Sequence, residues 1–144
     1  MKRNLIGILS LVVLSVLISS TGAFAQSYAK ASVPFAFAVG SAQLPAGTYE
    51  IRTLGAGNSS IVIQNSETSA AAMSTAGREQ PRNTTAKLVF HHVGNTYFLA
   101  EVWRSSSAEG MIVPTSNQEK ELTKELRAAN GHSGGYEEVV VALN

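Results

Sequence analysis

The chain has 144 residues and no cysteine, which excludes disulfide frameworks and cysteine-ligated metal sites. Its ten acidic residues are all glutamates, so EF-hand calcium loops, Ser-His-Asp triads and Asp-based phosphoryl transfer lose their usual aspartate. A formal net charge of +1 does not indicate a nucleic-acid partner or a strongly anionic membrane surface.

The first residues have the order of a Sec signal peptide. Lys2 and Arg3 precede an apolar run over residues 5–18, and small residues ending in Ala23-Phe24-Ala25 follow it. The rival interpretation is a transmembrane anchor, but a run of about 14 residues is shorter than the roughly 20 that span a bilayer. We therefore expect cleavage after Ala25, and periplasmic or extracellular localisation. Loss of this segment lowers the basic count from 11 to 9 against 10 glutamates, so the mature charge becomes −1.

The remaining chain, residues 26–144, is predicted to form a single β-rich domain. Residues 29–39 alternate apolar and polar side chains, so they are predicted to form one strand, which Pro34 restricts to a sheet edge. This strand pairs either within its own chain, which we favour, or on the edge of a neighbouring molecule. Further strands are predicted at 48–54, 60–64, 68–75, 88–103 (a hairpin), 111–113 and 136–143. The connections are turns at 44–47 and 55–58, and polar loops at 78–85 and 105–107.

One helix is predicted over residues 117–129. Ser116 and Glu119 form a capping box, in which each side chain can bind the free backbone N–H of the other residue. Asn130-Gly131 provides a left-handed stop. The apolar stripe consists of Leu122, Leu126 and Ala129, and it is narrow enough to place the helix on the surface of a sheet. The pattern as a whole predicts an all-β fold, an antiparallel sandwich or small barrel, with one C-terminal surface helix and a final strand.

Two adjacent histidines, His91 and His92, lie in the predicted hairpin. Gly94-Asn95 is taken as its two-residue loop, because both residues tolerate positive φ. The resulting pairs are Val93–Thr96, His92–Tyr97, His91–Phe98, Phe90–Leu99 and Leu88–Glu101. Successive side chains of a strand point to opposite faces, so the two histidines cannot reach one ion unless a bulge intervenes. The register places His92 with Phe90, Tyr97, Leu99 and Trp103, and His91 with Val89, Phe98 and Val102.

No metal, cofactor or catalytic site is predicted. The third histidine, His132, lies in a glycine-rich loop, and zinc would need three or four ligands from histidines and glutamates alone. The run GHSGG over 131–135 matches G-x-S-x-G, but it follows the predicted helix and precedes a strand, so it is not a strand-to-helix nucleophile elbow. Alternation separates the carboxylates of Glu137 and Glu138. Phe90, Tyr97, Phe98 and Trp103 are either core residues or the lining of an apolar ligand cavity.

Several motifs together resemble a family of small exported acidobacterial β-rich proteins of unknown function. They are Val33-Pro34-Phe35 with Phe37 and Val39-Gly40, the run LPAGTY over 44–49, and LVFH followed by YFL and Trp103. The chain departs from the family pattern at two places. Where the family has LVFHRYG, this chain has His92 and Val93 in place of the arginine and tyrosine. Where the family has a G-R-E-L-P run, this chain has Gly110-Met111-Ile112-Val113-Pro114. The resemblance implies a β-rich exported domain and names no substrate.

These observations lead us to expect a non-enzymatic exported domain that acts by binding or assembly. One class is a structural or interaction component of the cell envelope or extracellular matrix, with a protein or envelope partner. The alternative is a lipocalin-like barrel that carries a small apolar ligand. Neither nucleic-acid binding nor a membrane-spanning mature chain is expected.

Overall fold

The computed structural model describes residues 29–54, 60–79, 85–104, 110–131 and 135–144, which form eleven strands and one helix. The signal segment with Ala25, the turn at 55–58, the loop at 105–107 and His132 lie outside these residues. The elements are β1 (Ala29–Val33), β2 (Phe37–Val39), β3 (Ala42–Leu44), β4 (Gly47–Leu54), β5 (Ser60–Asn65), β6 (Ala71–Thr75), β7 (Gly77–Glu79), β8 (Lys87–Val93), β9 (Thr96–Trp103), β10 (Gly110–Ile112), α1 (Asn117–Asn130) and β11 (Glu137–Ala142).

The strands form two sheets whose inner faces share one apolar core. Sheet A has the order β1-β4-β5-β6, and sheet B has the order β11-β8-β9-β10-β7. All pairs along these two orders are antiparallel; β2 joins sheet B by a parallel pairing with β9 and carries β3 on its other side. Ile51 and Ile63 from sheet A and Phe90 and Val102 from sheet B belong to the same buried cluster. The predicted all-β class with one helix and a final strand is confirmed, and neither sheet closes into a barrel within the described residues.

The segment 29–39 is two strands in different sheets, so the prediction of one continuous strand is wrong. β1 pairs with β4 in sheet A, and β2 pairs with β9 in sheet B. The break follows from Pro34, because proline has no N–H for a ladder and a fixed φ. The predicted alternation nevertheless identified the inward side chains, since Val33, Phe37 and Val39 are buried in the common core.

Two further short strands were missed. β3 falls just before the turn of the LPAGTY motif, and β7 lies in the segment predicted to be a polar loop. Each has three residues, which is too short for alternation to be recognised.

The LPAGTY motif builds the turn between β3 and β4. The hydroxyl of Tyr49, a fully buried residue, donates to the backbone oxygen of Pro45 at 2.5 Å. A Cβ on Gly47 would lie 2.5 Å from Nδ2 of the buried Asn65, so only glycine fits there. Asn65 Oδ1 in turn accepts two backbone N–H groups of the turn after β5, at 2.8 and 2.9 Å. The LPAGTY motif therefore has a structural role in this turn, because the buried polar groups around it are hydrogen-bonded.

The β8–β9 hairpin confirms most of the predicted register. The pairs from Val93–Thr96 to Phe90–Leu99 occur as predicted, and Gly94 has φ +62°. The pair Leu88–Glu101 is wrong, because a bulge shifts the register between Val89 and Phe90 and leaves Ala100 unpaired in that ladder. Beyond the bulge the faces exchange. Val102 therefore joins the inner core, and Trp103 does not share a face with His92.

The helix α1 covers the outer face of sheet B. It begins after Ser116, whose Oγ accepts the backbone N–H of Glu119 at 3.1 Å, and it ends before Gly131, whose φ is +69°. The Ser116 cap is therefore present, and Gly131 ends the helix with a positive φ, although its ψ of −177° is not that of the predicted left-handed stop. The helix is one residue longer than predicted. Leu122 and Leu126 pack against a small cluster of Ala38, Val93 and Phe98. Ala129, predicted to share this stripe, is exposed.

Candidate functional site: a cationic groove beside the helix

The four aromatic residues proposed as a ligand lining lie in different parts of the molecule. Phe90 is fully buried between the sheets, where its ring meets the edges of Phe35 and Phe37 at centroid distances of 5.2 Å. Tyr97 is half-buried and stacked on Phe35 at 3.9 Å, whereas Phe98 lies on the opposite face beneath α1. These side chains pack against neighbouring residues and do not line a common cavity.

Trp103, the fourth of these aromatic residues, covers Gly110 of the neighbouring strand. A Cβ on Gly110 would lie 2.6 Å from the indole ring, so the ring requires a glycine at this position. The indole Nε1–H donates to Oε2 of Glu101 at 2.6 Å, which satisfies its donor. The Trp103 side chain therefore packs β9 against β10.

The adjacent histidines lie on opposite faces of β8, as alternation predicts, and they have separate partners. His91 Nδ1 donates to Oε1 of Glu119 at 2.6 Å, and Glu119 is only 5 % exposed. His92 stacks on Tyr97 at 4.2 Å, while its Nδ1 lies 3.8 Å from the exposed carboxylate of Glu137, beyond hydrogen-bonding distance. Within the described residues, no three histidine or glutamate side chains come together to hold a metal ion.

Glu119 connects the helix to the sheet through His91. The capping box predicts that its carboxylate turns back to the Ser116 backbone; the structure instead shows it hydrogen-bonded to His91. A carboxylate in the first turn is also favoured by the helix dipole. Because Glu119 is nearly inaccessible, this bond fixes both the height of the helix above β8 and the orientation of the imidazole.

Tyr136, immediately before β11, stacks on the imidazole ring of His91. Its ring lies 3.9 Å from that of His91, centroid to centroid, with an interplanar angle of 24°. Tyr136 remains 46 % exposed, so part of its ring is presented to solvent. Glu119, His91 and Tyr136 thus form a chain of contacts that ends in a supported, accessible aromatic surface.

This aromatic surface forms one side of a groove of about 290 Å³. The remaining lining comes from Thr115 and from one flank of α1. Gly135 lies against that flank, where a Cβ would be 2.9 Å from Nε of Arg127, so the backbone approaches the helix closely. The helix residues that line the groove are Lys120, Thr123, Lys124 and Arg127.

The groove is strongly cationic. Lys120, Lys124 and Arg127 are exposed, and none of the three forms an ion pair with any other described residue. Helical periodicity places Glu121 and Glu125 beside this row, about 60° and 100° around the helix from Lys124, so carboxylates border the cations on the side away from Tyr136.

The sequence contains a signal for half of this site. Lys120, Lys124 and Arg127 are spaced i, i+4, i+7, which puts their side chains on one helix flank. Nothing local in the sequence indicates that Tyr136 lies opposite them, because that contact depends on how β11 pairs with β8.

No protein-family model, curated protein or solved structure matches this chain. In the part of the chain that the structure describes, no helix is both long and apolar enough to cross a membrane. Function is therefore inferred from the side chains described above.

Proposed function

We propose that this protein is an exported, non-enzymatic binding domain that serves as a structural or interaction component of the cell envelope or extracellular matrix. The observation that carries the proposal is the surface groove, whose described lining consists of cationic, hydroxyl and aromatic side chains suited to binding. The order of charged residues, apolar run and Ala23-Phe24-Ala25 supports export. Membership of the acidobacterial family of exported β-rich proteins is part of the same proposal.

The surroundings of the histidines favour binding over catalysis. A nucleophilic mechanism needs a hydroxyl or thiol within hydrogen-bonding distance of a base. The hydrogen-bond partner of His91 is the Glu119 carboxylate, and the imidazole ring is covered by Tyr136. His92 contacts Tyr97 and Glu137, and in the described residues neither imidazole bonds a serine or threonine hydroxyl.

The packing of the aromatic residues disfavours the alternative of a barrel carrying an apolar ligand. A cavity for such a ligand would be lined by apolar side chains with empty space between them. Phe90 and Phe98 are instead 0 % and 2 % exposed and belong to two different packed clusters. The groove beside α1 is bordered by three cations, which an apolar ligand would leave without partners.

Cell fractionation tests the proposal. We expect the protein outside the cytoplasm, with Gln26 as its first residue, and partly retained with envelope or matrix material until high salt releases it. Ala25→Arg should prevent processing and leave a larger precursor, because signal cleavage needs a small residue there. Phe24→Leu is the matched control and should be cleaved normally. A cytoplasmic protein, or an exported protein that retains residues 5–18, would contradict the proposal.

A further inference from the structure

We infer that the groove beside α1 binds a segment of an acidic, carboxylate-bearing polysaccharide. This inference deepens the proposed function and rests on it, because such polymers are encountered outside the cytoplasm. Three features carry the inference: the row of cations, the aromatic ring supported by His91, and the acidic side chains that border the groove.

The cations form a line that suits a chain of regularly spaced negative charges. Lys120 and Arg127, the ends of this row, are seven helical steps apart, which corresponds to about 10 Å along the axis. Arg127 can bind a carboxylate through two N–H groups, and the two lysines provide adaptable point charges. Thr115 and Thr123 add hydroxyls that can exchange hydrogen bonds with sugar hydroxyls.

The aromatic side of the groove suits the apolar face of a sugar ring. An aromatic ring presents a flat surface with electron-rich character, against which the C–H groups of a pyranose can pack. Tyr136 is held for this contact because His91 stacks behind it and Glu119 fixes His91. The ring is therefore oriented before the ligand arrives, which lowers the ordering cost of binding.

The acidic neighbours favour a narrow polymer over a flat anionic surface. Glu121 and Glu125 are exposed on α1 beside the lysines, and Glu138 is exposed two residues beyond Tyr136. A polyuronate segment can lie in the groove between these carboxylates. An anionic membrane would approach all of them and be repelled, because exposed like charges within a Debye length of about 10 Å interact unfavourably.

Isothermal titration calorimetry of the purified protein provides the test. The probes are polygalacturonate, neutral dextran of similar length, and vesicles of phosphatidylcholine and phosphatidylglycerol. We expect saturable binding to polygalacturonate that weakens with added salt, and no binding to dextran or vesicles. Binding to vesicles without binding to polygalacturonate would overturn the inference in favour of a membrane partner. Absence of binding to both acidic probes would also overturn it.

Charge-matched variants locate the site. Lys124→Gln should weaken polygalacturonate binding about tenfold, corresponding to about 1.4 kcal/mol. Lys87→Gln removes the same charge from β8, outside the groove, and should leave binding within about twofold. Equal losses in the two variants would mean that only net charge matters, which would refute the groove. Thermal unfolding of both proteins verifies that each is folded.

Two substitutions of Tyr136 examine the aromatic contact. Tyr136→Phe keeps the ring and should retain most of the affinity, whereas Tyr136→Leu should lose it severalfold. Equal affinity for all three proteins would contradict the role given to the ring. These titrations use purified protein, so they fail independently of the fractionation experiment: a cytoplasmic protein could still bind the polymer, and an exported one could fail to bind.

Discussion

The two faces of β8 differ although their residues alternate along one strand. Leu88 and Phe90 point between the sheets into a large cluster in which both are at most 1 % exposed. His91 and Val93 point outward beneath α1, where the buried cluster is small and the Leu122 and Leu126 side chains are only half-buried. The difference teaches that stability is concentrated between the sheets, while polar contacts and the groove belong to a thinner layer outside them.

The strongest test compares phenylalanines on the two faces. Phe90→Ala should lower the free energy of unfolding by about 3–5 kcal/mol, because it leaves a cavity between two packed sheets. Phe98→Ala should cost less, since α1 can settle over the smaller side chain. Urea titration of both variants measures the difference. An equal or larger loss for Phe98→Ala would break the comparison.

Removal of the buried carboxylate examines the polar contact of the outer face. Glu119→Ala should lower the free energy of unfolding by about 1–3 kcal/mol, because it leaves the half-buried imidazole of His91 without its partner. Glu125→Ala, at an exposed position of the same helix, should change stability by no more than about 0.5 kcal/mol. If both variants unfold alike, the bond between Glu119 and His91 does not hold the layers together.

The turn after β8 affects both faces, because it sets the register for all residues of the hairpin. Gly94→Val should destabilise the fold by about 1 kcal/mol or more, since a β-branched residue resists the φ of +62° observed here. Gly94→Asn is the control and should cost less, because asparagine tolerates this region. Differential scanning calorimetry distinguishes the two. An unchanged melting temperature for Gly94→Val would contradict the turn geometry.

Glu50 on β4 of sheet A forms a partly exposed ion pair, which can be compared with the buried contact between Glu119 and His91. Arg52 Nη2 donates to its carboxylate at 2.9 Å, and Lys30 lies 3.5 Å away; the hydrogen bond from Arg52 is the main cause that lowers the Glu50 pKa below its ordinary 4.5. A lowered pKa means that the contribution of Glu50 to stability is complete above pH 4.5 and is lost as pH falls through the folded value.

Carboxyl NMR titration measures this small effect. We expect the Glu50 pKa to be below 4.5 and to rise towards it in Arg52→Gln. A Glu50 pKa that is the same in both proteins would show that Arg52 does not act on it. The change in stability should be much smaller than that of Glu119→Ala, because exposed ion pairs are weak.

Metal titration should give no effect at all. His91 and His92 point to opposite faces, so we expect no tight stoichiometric binding of zinc, copper or nickel at micromolar metal. Calorimetry measures this directly. A single tight site that disappears in both His91→Ala and His92→Ala would refute the assignment of the two faces.

Local signals made much of the fold predictable. Ser116 and Gly131 gave the limits of the helix to within one residue, and Gly94 gave the register of four hairpin pairs. The bulge at Ala100 could not be recognised from the sequence. Leu99, Ala100 and Val102 are all apolar, so an inward face can be assigned to this segment with or without a shift of one residue. Pro34 indicated only an edge position, because the apolar residues on both sides of it share one core and so imitate a single strand.

The site was less predictable because its parts come from distant segments. The contact between Glu119 and His91 joins residues 28 apart, and the capping pattern offered Glu119 a closer partner. Tyr136 faces the lysines only because β11 returns to pair with β8, a long-range pairing that no local pattern specifies.

The position of Trp103 makes the two layers separately observable. It is the one tryptophan of the chain, it is 6 % exposed, and it lies at the opposite end of the hairpin from His91. Its fluorescence therefore reports the joining of β9 to β10, whereas far-ultraviolet circular dichroism contains the signal of α1. If the helix loosens before the sheets separate, the two spectroscopic transitions will no longer coincide, and the molecule will cease to behave as a two-state system.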